Sequence, residues 1–263
     1  MKILLIIPAY NEEENILNTC KTIEKSGQKI DYIVINDGAT DNTEKVLREN
    51  NINHIELVNN LGIGGAVQTG YKYAYENDYD IAIQFDGDGQ HDVNYVSNIC
   101  EPLINGQADM CIGTRYLDKS ESKFQSTFMR RLGANIISTC IKILCRKNIT
   151  DPTSGFRAVN RKVIEEFSKN YPTEYPEPES TVSLLVNGYK VQEIPVSMNE
   201  RTGGVSSIRL WKTADYMVKV VLAIIIDSIS LKRKRGGKNN AINIKNSLNS
   251  NCFNLYILYN ESS

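Results

Sequence analysis

The chain reads as an α/β protein with a mixed, mostly parallel central sheet flanked by helices. Three observations predict this. Short apolar runs recur at 3–7, 32–37, 54–58 and 81–85. Segments of helical composition separate them, at 11–25, 41–50 and 64–77. With 263 residues and 41% hydrophobic content, the chain can bury one sizeable core or two closely joined halves. Apolar strands alternating with helices make a parallel sheet covered by those helices.

The elements follow in order. ILLII (3–7) is a buried first strand that meets Pro8 and then acids. Residues 11–25 carry helix-forming acids with apolar spacing. YIVIND (32–37) is a second strand ending at Asp37. In DNTEKVLREN (41–50), Asp41 and Glu44 form a capping-box pattern at a helix start. HIELV (54–58) is a third strand, GGAVQTGYKYAYEN (64–77) a helix with apolar and aromatic positions on one side, and IAIQF (81–85) a fourth strand. Beyond about 105 the pattern loosens. ADMCIGTRY (108–116) is a strand, 126–145 a helix with Arg130 and Arg131 early in it, and DPTSGFRAV (151–159) a turn into an extended segment. TVSLLVNGYKVQEIPV (181–196) reads as helix, stop at Gly188, then strand.

Residues 210–231 form a separate unit. Its longest uncharged run, Val220–Ile226, is far short of the roughly 20 apolar residues a spanning helix needs. At about 100° per residue, Lys212, Asp215, Lys219 and Asp227 share one face and the rest is apolar, with a Lys-Arg-Lys-Arg run at 232–235. This composition suits a helix lying in a membrane interface against anionic lipid, or one packed on the domain or on a second copy. The Asn- and Ser-rich tail, 236–263, is expected to be disordered. The division expected is therefore 1–209 as the catalytic-type domain (halves 1–105 and 106–209), 210–235 as the amphipathic, basic helix, and 236–263 as tail.

Net charge is −1, which gives no global pull toward nucleic acid. Six cysteines without a CxxC pair, and only two histidines, argue against a structural zinc site. The N-terminal apolar run is too short for a signal peptide. A cytoplasmic protein with reduced thiols is expected.

Asn11, Asp37, Asn59 and Asp86 all fall just after strand ends, which lines polar groups along one edge of the sheet, where ligands bind in such folds. The densest group is Asp86-Gly87-Asp88. A surface turn is one reading. An EF-hand loop fails, because its twelfth position is Ser97 and its sixth is His91. The third reading is a Mg²⁺ or Mn²⁺ site serving a diphosphate, since such ions take one or two carboxylates plus phosphate oxygens.

Seven segments then stand in a particular order: PAYNEEENI (8–16), VINDGATDNT (34–43), NNLGIGGAVQTG (59–70), QFDGDGQHD (84–92), IGTRY (112–116), DPTSGFRAV (151–159) and ERTGGVSSI (200–208). Together the set resembles glycosyltransferase family 2, and within it most closely the dolichol- or polyprenyl-phosphate sugar transferases, over roughly residues 1–230. The resemblance implies a GT-A fold and a nucleotide-diphosphate sugar donor, UDP- or GDP-linked, used with Mg²⁺ or Mn²⁺. It implies inverting transfer of a hexosyl unit to a polyprenyl phosphate, at the inner face of the cell membrane with the enzyme held peripherally.

By the same resemblance, Pro8, Ala9, Tyr10 and Glu12 cradle the base and ribose, Asp37 reads the base, and Gly64 lies on the nucleotide-sugar side. Many relatives carry two acids where this chain has Asn36-Asp37. Asp86 and Asp88 match the metal motif, with Gln90 close behind. Arg115 and Arg131 resemble arginines near the diphosphate and acceptor phosphate. Arg201 and Ser206 match a loop that closes over the phosphates. Ser154 and Arg157 fall on the acceptor and diphosphate side. A lipid-phosphate oxygen is already anionic and needs no strong base, whereas a sugar hydroxyl would need one. Asp151, Glu177 and Glu179 are the candidates.

Other readings stay open. Arg115 and Arg157 could be structural partners of acids, Asp151-Pro152 only a turn, and Glu177 and Glu179 solvated. His54 and His91 are not read as ligands, although His91 beside the acidic stretch could touch substrate. A saccharide acceptor in cell-surface polymer synthesis, or a nucleotide-sugar-binding subunit without catalysis, are the alternative functions; a homo-oligomer is compatible with either. An oxidoreductase would need a dinucleotide fingerprint at the first strand, which PAYNEE is not.

Overall fold

A computed structural model describes residues 1–116, 128–198, 217–226 and 228–231, with Phe128–Arg130 as backbone only. Seven strands form one sheet: β1 Ile3–Ala9, β2 Asp31–Asn36, β3 His54–Glu56, β4 Ile81–Gln84, β5 Met110–Thr114, β6 Arg157–Asn160 and β7 Val191–Pro195. Their order is β3-β2-β1-β4-β6-β5-β7. Strands β3, β2, β1 and β4 are parallel, β6 runs antiparallel between β4 and β5, and β7 is parallel to β5.

The chain leaves β1 toward β2 and β3 on one side and returns to β4 on the other. The β1/β4 boundary is therefore the topological switch point, where the loops diverge and open a crevice. The two loops that flank it are PAYNEE and FDGDGQ.

The helices are α1 Ile16–Lys25, α2 Thr43–Glu49, α3 Gly62–Glu76, α4 Val96–Ile104, α5 Phe128–Cys145, α6 Arg161–Lys169 and α7 Pro176–Val186, then α8 at 217–226 with a helical continuation at 228–231. Alternate residues of β1 serve opposite faces. Leu4 and Ile6 meet Val67, Tyr71, Phe167 and Val220 in one core layer; Leu5 and Ile7 meet Ile16, Cys20 and Ile99 in the other. A strand covered on both faces has no polar positions, which explains the unbroken ILLII run.

Several expectations shift in detail. The first helix begins at Ile16, not Asn11, because Asn11 adopts φ 55° and its side-chain oxygen accepts the Thr40 and Asp41 N–H groups at 2.8 and 3.3 Å. The capping box is half formed: Asp41 accepts the Thr43 N–H at 2.9 Å, but Glu44 turns forward to Arg48 at 2.6 Å. Helices α4 and α6 were not anticipated; α4 contains Pro102 and α6 is a single polar-faced stretch of nine residues. The last helix falls partly in the described region, while 199–216 and the 232–263 tail lie outside it.

Helix α3 seats directly on its neighbours. A Cβ on Gly70 would lie 2.2 Å from Ile6 Cγ2, and one on Gly64 would lie 2.5 Å from the Pro172 carbonyl oxygen and 2.6 Å from Thr173 Cα. The backbone atoms at Gly64 cannot rotate away. Helix propensity alone favours Gly64→Ala by about 1 kcal/mol. Overpacking costs about 1–3 kcal/mol and is expected to win, so chemical denaturation should show a less stable variant; a more stable one would contradict this packing.

Candidate active site

Asp37, just past β2, is buried, and its Oδ1 accepts the Leu61 N–H at 2.7 Å. It thereby anchors the start of α3. Burial pushes its carboxyl pKa up, and the Leu61 and Gly62 N–H groups pull part of that back. Asn36 is held by Glu56, to whose carboxylate its amide donates at 2.9 and 3.0 Å. Pro8 and Ala9 are buried in β1, and Tyr10 is exposed at its end. The Glu12 N–H donates to Thr43 Oγ1 at 2.9 Å, and its Oε2 accepts from Asn15 at 2.9 Å. Asn11, Glu12 and Glu13 thus stitch the β1 loop to the β2 loop. Gly64 faces the Pro172–Thr173 backbone rather than open space.

The acidic stretch leaves β4 at the switch point. Thr19 of α1 donates to the Gly87 carbonyl at 2.9 Å, Gly89 takes φ 76°, and the Gln90 N–H donates to Asp88 Oδ1 at 3.0 Å. The Asp86 carboxylate sits between His91 and Gly155. His91 Nε2 is 3.0 Å from Asp86 Oδ2. A Cβ on Gly155 would come within 2.9 Å of both Asp86 oxygens. Burial is the largest influence on this carboxyl and raises its pKa. His91, the Gln84 amide and the Arg115 charge together outweigh it, so the net shift is downward and the group is ionised.

Asp86 and Asp88 are oxygen donors of the kind a hard divalent cation takes. Among the described residues no group of three or more His, Cys, Asp and Glu could hold a metal ion by themselves. A divalent ion held by these two carboxylates would need further oxygen ligands from outside this set.

Asp151, a candidate base, is fully buried and bound in a two-pronged pair by Arg115, Nε to Oδ2 at 2.7 Å and Nη2 to Oδ1 at 2.8 Å. The Asp151 N–H and Thr150 N–H in turn donate to Glu193, each at 2.8 Å. A carboxylate so engaged is an anchor for Arg115, not a proton acceptor. Arg115 also lowers the Asp86 pKa through its charge, by less than His91 does. The Arg115 and Arg131 guanidinium groups lie 5.5 and 5.8 Å from the Tyr116 ring, so the two arginines gather at one end of β5.

Arg157 does not offer its guanidinium to a ligand. It is buried and donates to the carbonyls of Ser154 (2.6 Å), Pro152 (2.8 Å) and Glu177, and to the hydroxyls of Ser180 (3.1 Å) and Thr181 (2.9 Å). It clamps the start of α7 to the sheet. The Ser154 hydroxyl is spent on the Gly113 carbonyl at 2.6 Å. Glu179 is buried in the first turn of α7. Glu177, on the same turn, is half-buried and accepts from Gln84 Nε2 at 3.3 Å. Burial pushes its pKa up, Arg157 lowers it, and Asp86 raises it further. Arg201 and Ser206 lie outside the described residues.

The structure thus puts Asp86 within the electrostatic reach of Arg115 and Glu177, sets Gln90 on Asp88 and Arg131 beside Arg115 around Tyr116, and turns Asp151, Ser154 and Arg157 to the support of others. Gly155 is a site residue that sequence reasoning did not select, and His91, read there as a possible substrate contact, lies instead against Asp86. Gly155 stands inside the quoted DPTSGF segment, where a glycine beside a buried strand start was the available signal.

Comparison with known proteins places these features in context. The family model described as glycosyl transferase family 2 matches residues 4–168. The UDP-N-acetylglucosamine–dolichyl-phosphate N-acetylglucosaminyltransferase of Methanococcus voltae is 30% identical over 213 residues, covering 74% of this chain and 84% of that protein. The polyprenol monophosphomannose synthase of Mycolicibacterium smegmatis is 27% identical over 229 residues, covering 82% and 84%. Among solved structures, glucosyl-3-phosphoglycerate synthase from Mycobacterium tuberculosis, in complex with Mn²⁺, UDP and phosphoglyceric acid, superposes with a TM-score of 0.64 at 16% identity, over 86% of this chain and 78% of that one. That likeness is one of fold, the GT-A fold.

The raised Glu177 pKa gives a pH-dependent prediction. A carboxyl whose folded pKa lies above its unfolded value, about 4.3, contributes nothing at lower pH and destabilises as pH rises through that window. Glu177→Gln removes the penalty and keeps an acceptor for Gln84. Its stability relative to the wild type should rise between pH 4 and pH 8 in paired denaturation curves. A difference that did not change with pH would contradict the assignment.

Proposed function

The chain belongs to glycosyl transferase family 2 and is a glycosyltransferase, and on that premise we propose that it moves a hexosyl unit from a nucleotide-diphosphate sugar to a polyprenyl phosphate, with inversion. The observation that carries this reading is the pairing of Asp86 and Asp88 at the β1/β4 switch point with Arg115 and Arg131 gathered at the end of β5. One set suits a cation-bound diphosphate and the other an anionic acceptor.

The nucleotide lies along Pro8–Glu12 and Asp37, on loops fixed to each other by the Asn11, Glu12 and Glu13 bonds. Asp86 and Asp88 would hold Mg²⁺ or Mn²⁺, which supplies neutralisation of the diphosphate as it departs. The sugar C1–O bond to the diphosphate breaks with its electron pair leaving on the nucleoside diphosphate. An acceptor phosphate oxygen forms the new bond to C1 from the opposite face. That oxygen is anionic at neutral pH, so no residue has to remove a proton. Arg115, kept in place by Asp151, and Arg131 orient the acceptor and offset its charge. Arg201 and Ser206, which lie outside the described residues, are assigned to the phosphates by sequence resemblance alone.

Names of relatives support the acceptor class: two of them act on dolichyl or polyprenol carriers. The outer surface supports it too. No helix among the described residues is long and apolar enough to cross a membrane. Yet Val218, Leu222, Ile226 and Ile229 are each more than half exposed, and Leu132, Ile136 and Ile143 are exposed along α5, next to Lys142, Arg146 and Lys147. A peripheral seat on an anionic membrane at the cytoplasmic face accounts for apolar side chains left facing outward beside basic ones.

A saccharide acceptor is the second reading, and the position of Glu177 favours it over other bases. Burial and Asp86 keep its proton affinity high, as a general base requires.

The test supplies UDP- and GDP-sugars with Mg²⁺ or Mn²⁺ and undecaprenyl phosphate in anionic vesicles. Metal-dependent sugar transfer to the lipid phosphate is expected, reduced at least about 100-fold by Asp88→Ala and little changed by Glu177→Gln. Donor turnover without lipid product, abolished by Glu177→Gln, would move the acceptor to a saccharide.

A further inference from the structure

His91 is the least explained side chain of the site. It is buried, with only 5% of its surface accessible. Its ring stacks on Phe156 with centroids 5.0 Å apart and meets the edge of Phe85 at 5.4 Å. Neither ring nitrogen makes a well-formed hydrogen bond among the described residues, although Nε2 lies 3.0 Å from Asp86 Oδ2. Packing alone would be served at least as well by a phenyl ring, which carries no polar atoms to strand. What an imidazole adds here is the nitrogen that faces Asp86, Nε2 at 3.0 Å from Oδ2.

We propose that His91 is a positioning residue, whose Nε2–H fixes the orientation of the Asp86 carboxylate so that it is ready for a divalent cation. The proposal rests on the reading of Asp86 and Asp88 as the cation-holding pair. His91 itself is neither a ligand nor an acid in the transfer.

The ring is fixed from three sides. Phe156 and Phe85 hold its plane. The backbone at His91 forms an isolated antiparallel bridge with Met198, a buried residue of the core behind the acidic loop. The turn that delivers it is set by Gly89 at φ 76° and by the Gln90 N–H on Asp88 Oδ1. The carboxylate then has imidazole on one side and the Cβ-free backbone of Gly155 on the other. The contact is short but not well aligned as a hydrogen bond, and such bonds tighten when the site is filled. A ligand carboxylate with its rotamer set in advance loses less freedom on binding, and partners of this kind are worth about 10–100-fold in metal affinity.

The consequence is placed outside catalysis, in binding. Mn²⁺ is titrated into the full-length protein with UDP present and no acceptor, and free Mn²⁺ is read by its electron paramagnetic resonance signal. His91→Phe keeps the ring stack and should keep the melting temperature, while weakening Mn²⁺ binding about 10–100-fold. His91→Gln, which loses the ring but keeps an N–H donor, should recover part of that affinity. Wild-type affinity in His91→Phe overturns the proposal. So does an equal loss in both variants, which would make the ring's shape the cause. A wild-type protein that takes up no Mn²⁺ with UDP overturns the cation-holding reading itself and the proposal with it.

Discussion

A carboxylate at the end of a strand covered on both faces has to be compensated, and the site is organised around that demand at Asp86. Burial alone would raise its pKa and disfavour the charged form that a cation needs. The neighbours reverse the outcome: His91 in contact, Gln84 by its amide, and Arg115 through its field. Gly155 completes the arrangement by leaving out the one carbon that would collide with both oxygens.

Arg115 can serve only because its own charge is anchored. Asp151 holds it with two bonds from a fully buried position, and the backbone of Thr150 and Asp151 is held by Glu193 on β7. A buried pair of this kind adds little net stability but is costly to break from one side. Its value lies in geometry. It ties the end of β5 to the 150–155 loop and so to Gly155, which puts the cationic and the acidic parts of the site on one rigid frame. Arg157 does the same for α7, binding five acceptors, and through the Glu177 carbonyl it sets where the Glu177 side chain stands.

Strands β1, β2 and β4 were legible because their apolar runs are buried on both faces, and the half-exposed β3 because it falls between two segments of helical composition. So was the acidic loop, since an Asp-x-Asp at a strand end is conspicuous. Helix α4 was missed because Pro102 breaks the expected pattern, and α6 because short helices leave few turns in which to show a period. Arg157 and Asp151 looked like site residues because the segment that carries them does border the site; only coordinates distinguish a guanidinium aimed at a ligand from one spent on five internal acceptors. The case of His91 is similar. An isolated histidine in sequence is most often a packing residue, and its partner Asp86 is identified by distance, five positions away across a glycine-rich turn. The segment carrying Arg201 and Ser206 lies outside the described residues, so its part rests on sequence likeness.

The central claim is that the carboxylates at the β1/β4 switch point receive a cation together with a diphosphate. Crystals grown with Mn²⁺ and UDP, with data collected at the manganese absorption edge, test it most directly. The account predicts an anomalous peak within coordination distance of Asp88 and Asp86, bridged to the diphosphate, with Arg115 still bound to Asp151. A diphosphate bound elsewhere, or a peak remote from both carboxylates, would contradict it.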